Sequence, residues 1–427
     1  GELVALLPAG EQVECGNPQW GMGAHTWCWS PDGTEIAVAR NLQGFGDLVV
    51  VSVASGEMRS LGRGVHGSLL WSKAGIFALR TGAVTPTQLV QYAAQTFERE
   101  ILATSEVDSS GGAWSQYQLV EPTLGAVECG NYNIPYRLYS PVGSKTSEQP
   151  LIVWVHGGPN DQWQVTFRPR LTYWLSRGYA IAVVDHRGSS GHGRQFLMAL
   201  EGHWGDMDAT DTLQVIRHVQ TTQGFLPEST VLMGGSAGGL TALNCIVKDE
   251  SLVAGAVLQY PVVDLAEILR GDDPFETPYM PTLIGATGPD DPVVAQRSPH
   301  MHGAAFVNTA LLVFHGDSDH SVPLVHSQRL REAVVAAGGQ MQLEVMAGEG
   351  HGFKNPANVT AEYLLRWPQD VESRVSGTPL GFLKVHYIRV ELDANESSNK
   401  EITRHYQSAL KVAKSHDLGN GTKWFDF

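Results

Sequence analysis

The chain has 427 residues, 42% hydrophobic and 17% charged, with a formal net charge of −15 at neutral pH. That charge argues against a nucleic-acid partner or an anionic membrane surface, and no apolar run is long enough to span a bilayer as a helix. Cys15, Cys28, Cys129 and Cys245 lack CxxC spacing and are too few for a disulfide scaffold. The expectation is therefore no structural metal, no cofactor and a reducing, cytoplasmic compartment. The Gly1 start carries no information about a leader segment. The length predicts two or three domains.

The first 115 residues read as short strands and turns. "WSPDGTEIAVAR" (29–40) is a tryptophan, a Pro-Asp-Gly turn and an alternating strand, and "DLVVVSV" (47–53) follows as a second strand. A similar unit begins at "WSKAGIFALR" (71–80). Trp29 and Trp71 are 42 residues apart, a propeller-blade period, and Trp114 lies 43 further on. A small β-sandwich is the plainer alternative. The expectation is a partial β-propeller of two to three blades over 1–115, too few to close a ring of four or more. Exposed blade edges leave homo-oligomer formation open.

From about residue 116 the pattern changes. "VECGNYNIPYRLYSP" (127–141) reads as a strand turning into another. Apolar strands at 150–158, 179–188, 229–235, 252–261, 309–317 and 341–348 then alternate with amphipathic stretches such as 169–178, 209–220 and 326–338. Near-continuous apolar strands separated by helices predict an α/β fold, a mostly parallel sheet covered on both faces. Working residues collect beyond the C-terminal ends of such strands. The domain is expected over 116–375. The tail, 376–427, offers a strand at 382–392 and a helix at 398–414, with no function assigned.

"GGSAGG" (234–239) contains G-x-S-x-G between an apolar strand and a helix-compatible run. A reversal that tight strains its central residue and exposes the side chain, so Ser236 is a candidate nucleophile, with a helix N-cap as the plainer role. A serine needs a base. His351, between glycines after the last strand, is the candidate, and Asp317 and Asp319 after the preceding strand are near-equal candidates for the acid that orients it. Oxyanion donors are expected from the backbone N–H of Ala237 and from the glycine-rich "HGGP" loop (156–159), which is otherwise a plain tight turn.

The stretches "VHGGP" (155–159), "DHRGSSGHGRQF" (185–196), "GGSAGG" (234–239), "RSPHMH" (297–302), "HGDSDHSVP" (315–323) and "GEGHGF" (348–353) together resemble the prolyl oligopeptidase family of serine peptidases, its acylaminoacyl-peptidase and dipeptidyl-peptidase-like branch. They run in family order over about 60% of the chain. The resemblance implies an α/β-hydrolase fold behind a propeller, here shortened, and a Ser236–Asp319–His351 triad. It implies Gly158 as the second oxyanion donor beside Ala237, and a structural role for Arg187. It also implies a serine peptidase cutting short peptides through an acyl-enzyme. A carboxylesterase with the same triad, and an inactive truncated relative serving as a binding scaffold, are the alternatives.

Overall fold

The computed structural model describes residues 13–16, 25–105, 119–141, 143, 149–271 and 277–363. Trp114 and the expected tail elements at 382–392 and 398–414 lie outside them.

Strands β1 (Val13–Cys15), β2 (Trp27–Trp29), β3 (Glu35–Leu42), β4 (Phe45–Ser52) and β5 (Met58–Arg63) form one antiparallel sheet, with β1 and β2 end to end along one edge of β3. Strands β6 (Val65–Ser72), β7 (Gly75–Gly82), β8 (Thr85–Ala93) and β9 (Arg99–Thr104) form a second, four-stranded meander. The period-2 alternation gives each sheet an apolar face, and the two faces meet: Ala37, Ala39, Leu48 and Val50 pack with Leu69, Ile76, Ala78, Val90 and Tyr92. Trp29 ends β2 and Trp71 is the penultimate residue of β6, each just before the turn into the next strand. These are two blades of a partial propeller.

His66 is buried between these blades. Its Nδ1 lies 2.7 Å from the Gly64 carbonyl and its Nε2 2.8 Å from the Tyr92 hydroxyl. The carbonyl can only accept, so the neutral ring donates from Nδ1 and accepts the tyrosine proton at Nε2. Burial, with Arg80 and Arg99 adding to it, pushes the imidazole down to about 4. The unfolded chain takes up a proton near pH 6.5 and the folded one does not until about 4, so this contribution is complete above 6.5 and drains away between those values. In denaturant titrations, His66→Gln should flatten the dependence of stability on pH by about 1.4 kcal/mol per pH unit between pH 6.5 and 4. Parallel curves would refute the neutral tautomer.

The rest of the described chain builds one eight-stranded sheet, order β10-β11-β13-β12-β14-β15-β16-β17. The hairpin β10 (Thr123–Cys129) and β11 (Tyr132–Tyr139) is antiparallel. From β13 onward, β12 (Leu151–Val155), β13 (Ala180–Val184), β14 (Thr230–Gly235), β15 (Gly255–Gln259), β16 (Ala310–Gly316) and β17 (Met341–Met346) run parallel. Every residue of β12, β13 and β15 is buried, as strands covered on both faces must be. One face carries α3 (Met207–Gln223), α4 (Ala237–Lys248) and α8 (Val325–Ala336); α1 (Pro169–Leu175) covers the other. Short helices, α2 (Arg194–Met198), α5 (Leu265–Arg270), α6 (Met280–Ile284) and α7 (Pro292–Gln296), fill the connections, and α9 (Pro356–Tyr363) follows β17. This is the α/β-hydrolase fold.

The β3–β4 turn reaches into this sheet's upper rim. The Val165 N–H donates to the Gly44 carbonyl (2.7 Å) and the Gln43 N–H to the Gly191 carbonyl (3.2 Å). Asn41 donates to Gln162 (2.7 Å), and Gln162 donates to Asp185 (2.7 Å). Asp185 also takes both Arg137 guanidinium nitrogens, at 2.8 and 2.7 Å, and lies 2.7 Å from His192 Nε2. Burial alone would raise the Asp185 carboxyl, yet Arg137 and His192 outweigh it and hold it far below the ordinary range. Gly44 has φ +89°, and a side chain there would collide with Arg137. The blade thus closes over a buried ion cluster at the rim of the sheet.

Candidate active site

Ser236 joins β14 to α4 with φ 54° and ψ −125°, a conformation that costs a non-glycine residue about 1–3 kcal/mol. Its N–H donates to the Gln259 carbonyl (3.0 Å), and its own carbonyl accepts from Val262 (3.2 Å) and Gly239 (3.0 Å). The turn is therefore tied to the end of β15. Its side chain makes no capping hydrogen bond, so the N-cap role is not the one it plays. The flanking glycines are demanded by close approach. A Cβ on Gly234 would fall 2.4 Å from the Gly238 carbonyl, and one on Gly238 would fall 2.5 Å from the carbonyls of Val155 and His156.

The "HGGP" loop lies against this elbow: a Cβ on Gly157 would be 3.6 Å from that of Ser236. His156 pins the loop. Its Nδ1 donates to the Gly157 carbonyl (2.7 Å), which leaves Nε2 to accept from the Ser189 hydroxyl (2.6 Å). Burial, reinforced by the stacked His186 ring, lowers its pKa to about 3, so it stays neutral. Asn160 fastens the loop's far side to the Gly188 carbonyl (2.7 Å). Ala237 is the first residue of α4, where N–H groups have no carbonyl within the helix to bond. Gly158 follows at φ +117°.

Asp319 and His351 come together across 32 positions, with His351 Nδ1 donating to Asp319 Oδ2 at 2.8 Å. The other oxygen of Asp319 accepts from the backbone N–H groups of Ser321 (3.0 Å) and Val322 (2.9 Å). Burial would raise the Asp319 carboxyl, but the His351 bond and charge and the Val322 N–H prevail and hold it below its usual value. Asp317 faces elsewhere, accepting from the Gly348 N–H (2.8 Å) and the Ser318 hydroxyl (3.0 Å), and so staples the β16 and β17 turns together. No hydrogen bond joins Ser236 Oγ to His351 among the described residues. Arg187, which the resemblance marks as structural, is locked in a buried pair with Asp211 (2.5 Å).

Sequence reasoning passed over Tyr260. Its ring packs on His351 with centroids 4.4 Å apart and on Phe353 at 5.7 Å, and its backbone has φ 36°. Nothing local in "LQYPVV" marks it, because the contact is made across the sheet edge. Neighbouring Gln259 donates to buried Glu362, which also takes Arg170 at 2.8 Å. Burial raises the Glu362 carboxyl despite that arginine. A cavity of about 330 Å³ lies well apart, on the first blade between Trp27, Trp29, Ile36 and Val38. Among the described residues no group of His, Cys, Asp and Glu could hold a metal, and no helix is long and apolar enough to cross a membrane.

Residues 165–368 match the family model described as prolyl oligopeptidase family. The acylamino-acid-releasing enzyme of Sus scrofa is 24% identical over 313 residues, 69% of this chain and 43% of that one. Dipeptidyl aminopeptidase BIII of Pseudoxanthomonas mexicana is 29% identical over 227 residues, 51% of this chain and 32% of that one. In fold, a puromycin-hydrolyzing peptidase of Mycobacterium tuberculosis superposes with a TM-score of 0.74 at 23% identity, over 82% of this chain and 54% of that one. The chain thus spans less than half the length of these two curated relatives.

Proposed function

Residues 165–368 belong to the prolyl oligopeptidase family, and from that premise we propose that the chain is a serine peptidase cleaving short peptides through an acyl-enzyme. The observation that carries the reading is the Asp319–His351 pair, set beside the rim that bears the strained Ser236. Ser236 Oγ attacks the scissile carbonyl while His351 Nε2 takes its proton. Asp319 fixes the ring with its proton on Nδ1 and stabilises the imidazolium, and the N–H groups of Ala237 and Gly158 receive the developing oxyanion. The serine–histidine bond forms on substrate binding, since such contacts are often long in the free enzyme and tighten in the complex. His351 then returns the proton to the leaving amine, and water releases the acyl group by the same steps.

Within this reading, 1–115 are blades that frame the approach to the site, 116–375 carry the chemistry, and 376–427 are an accessory segment. Short peptides fit this reading because the first blade bonds to Gln162, Val165 and Gly191, in the loops that follow the "HGGP" turn and β13. A reducing compartment, as the number and spacing of the cysteines suggest, belongs to the same reading.

The test compares a peptide anilide with a short acyl ester, alongside labelling by a fluorophosphonate. Turnover of the anilide, with labelling, supports the peptidase. Ester turnover alone replaces it with a carboxylesterase, and neither turnover nor labelling replaces it with a binding scaffold.

A further inference from the structure

Among the described residues, the arginines that are buried or partly buried donate to an oxygen, with one exception. The exception is Arg168. Its guanidinium carbon sits 4.5 Å above the Trp163 ring, which itself packs at 4.6 Å on buried Trp154 of β12. The Nε is enclosed and has no partner. A planar cation held by stacking, with its forked donors unused, is the form in which arginine receives a carboxylate.

Its location gives this meaning. The loop from Asp161 to Arg168 leaves directly from the "HGGP" turn, and a Cβ on Gly158 would lie 2.8 Å from that of Asp161. The next residue but one before α1, Phe167, donates its N–H to Thr81 of the second blade (3.1 Å). Arg168 therefore stands between the oxyanion loop and the blades. Asp161 is a carboxylate whose charge acts on Arg168, and no ion pair joins the two among the described residues. One Asp161 oxygen takes the Gln162 N–H (2.7 Å), and burial raises that carboxyl despite Arg168. Tyr139 and the cations Arg137 and Arg170 complete the charged surroundings, and both arginines are already bound to carboxylates.

We propose that Arg168 anchors a carboxylate of the substrate peptide, making the enzyme selective for short acidic or free-ended peptides. This rests on the peptidase reading above. Two sources share the chemistry, the terminal α-carboxylate and an acidic side chain.

The experiment uses two pairs of short peptides: one identical except for a free or amidated C-terminus, the other except for Glu or Gln. Wild type should cleave the charged member of one pair about 10- to 100-fold better in kcat/KM, and which pair responds identifies the source. Arg168→Met, confirmed folded by its melting temperature, should erase that preference, and Arg168→Lys should restore part of it. Indifference of wild type to both pairs overturns the proposal. So does an Arg168→Met chain that loses equal activity on all four peptides. Calorimetric binding of the same peptides to Ser236→Ala separates this from the peptidase reading. A charge preference in binding without any hydrolysis by wild type keeps the anchor and removes the peptidase.

Discussion

Ser236→Ala should abolish fluorophosphonate labelling and lower kcat on a peptide anilide by about 10⁵-fold or more, with KM changed only a few-fold. The size follows from how an attacking group fails. Without the hydroxyl, no acyl-enzyme forms, and only the oxyanion donors and substrate binding remain to accelerate direct attack by water. The small change in KM follows because the Ser236 side chain holds nothing else in place: it caps no helix and makes no hydrogen bond among the described residues. Alanine at φ 54° is strained as serine is, so the variant should melt near the wild-type temperature and the loss cannot be assigned to unfolding. The Ser189 hydroxyl cannot substitute, since it is committed to His156 at 2.6 Å. Labelling that survives in Ser236→Ala would show that the nucleophile lies elsewhere and dissolve the proposed mechanism.

The parts of this site that the sequence carries are those written in local pattern. Apolar runs such as "LIVWV" and "AIAVV" are strands because they are buried on both faces, and their ends point to where Ser236 and His351 stand. The glycines around Ser236 are readable because close backbone approach excludes every other residue. Spacing alone could not separate Asp317 from Asp319. The difference is one of direction: the first faces Gly348, the second His351. Contacts between distant segments leave no periodic trace. The Asn41–Gln162–Asp185–Arg137 cluster joins a blade turn to three separate stretches, and each of those residues taken singly reads as ordinary surface polarity. The short helices α5, α6 and α7 were equally hidden, being too brief for a 3.6-residue period to repeat.

Asp319→Asn should lower kcat by about 10⁴-fold while leaving the fold intact, and Asp317→Asn should stay within a few-fold of wild type. The carboxylate serves two sets of donors. One oxygen holds the Ser321 and Val322 N–H groups, and the other holds His351 Nδ1–H. An asparagine can keep only one of these, because its amide nitrogen donates. Turning that nitrogen toward Ser321 and Val322 would set donors against two backbone donors, so the amide oxygen stays there and the nitrogen faces His351. The ring must then accept at Nδ1 and carry its proton on Nε2, the atom that takes the proton of Ser236 in the proposed mechanism. The ring stays in place and holds the wrong tautomer. Nearby His315 cannot relieve this, since it is engaged with Ser327 (2.7 Å) and the Val322 carbonyl (2.8 Å), and burial lowers its pKa. Asp317 holds only a turn, so its amide loses a charge and at most one weak bond. The two variants, assayed for kcat on one anilide and for melting temperature, decide the acid by a contrast of several orders of magnitude. Equal losses from both would mean that the turn, rather than the tautomer, is what the loop protects.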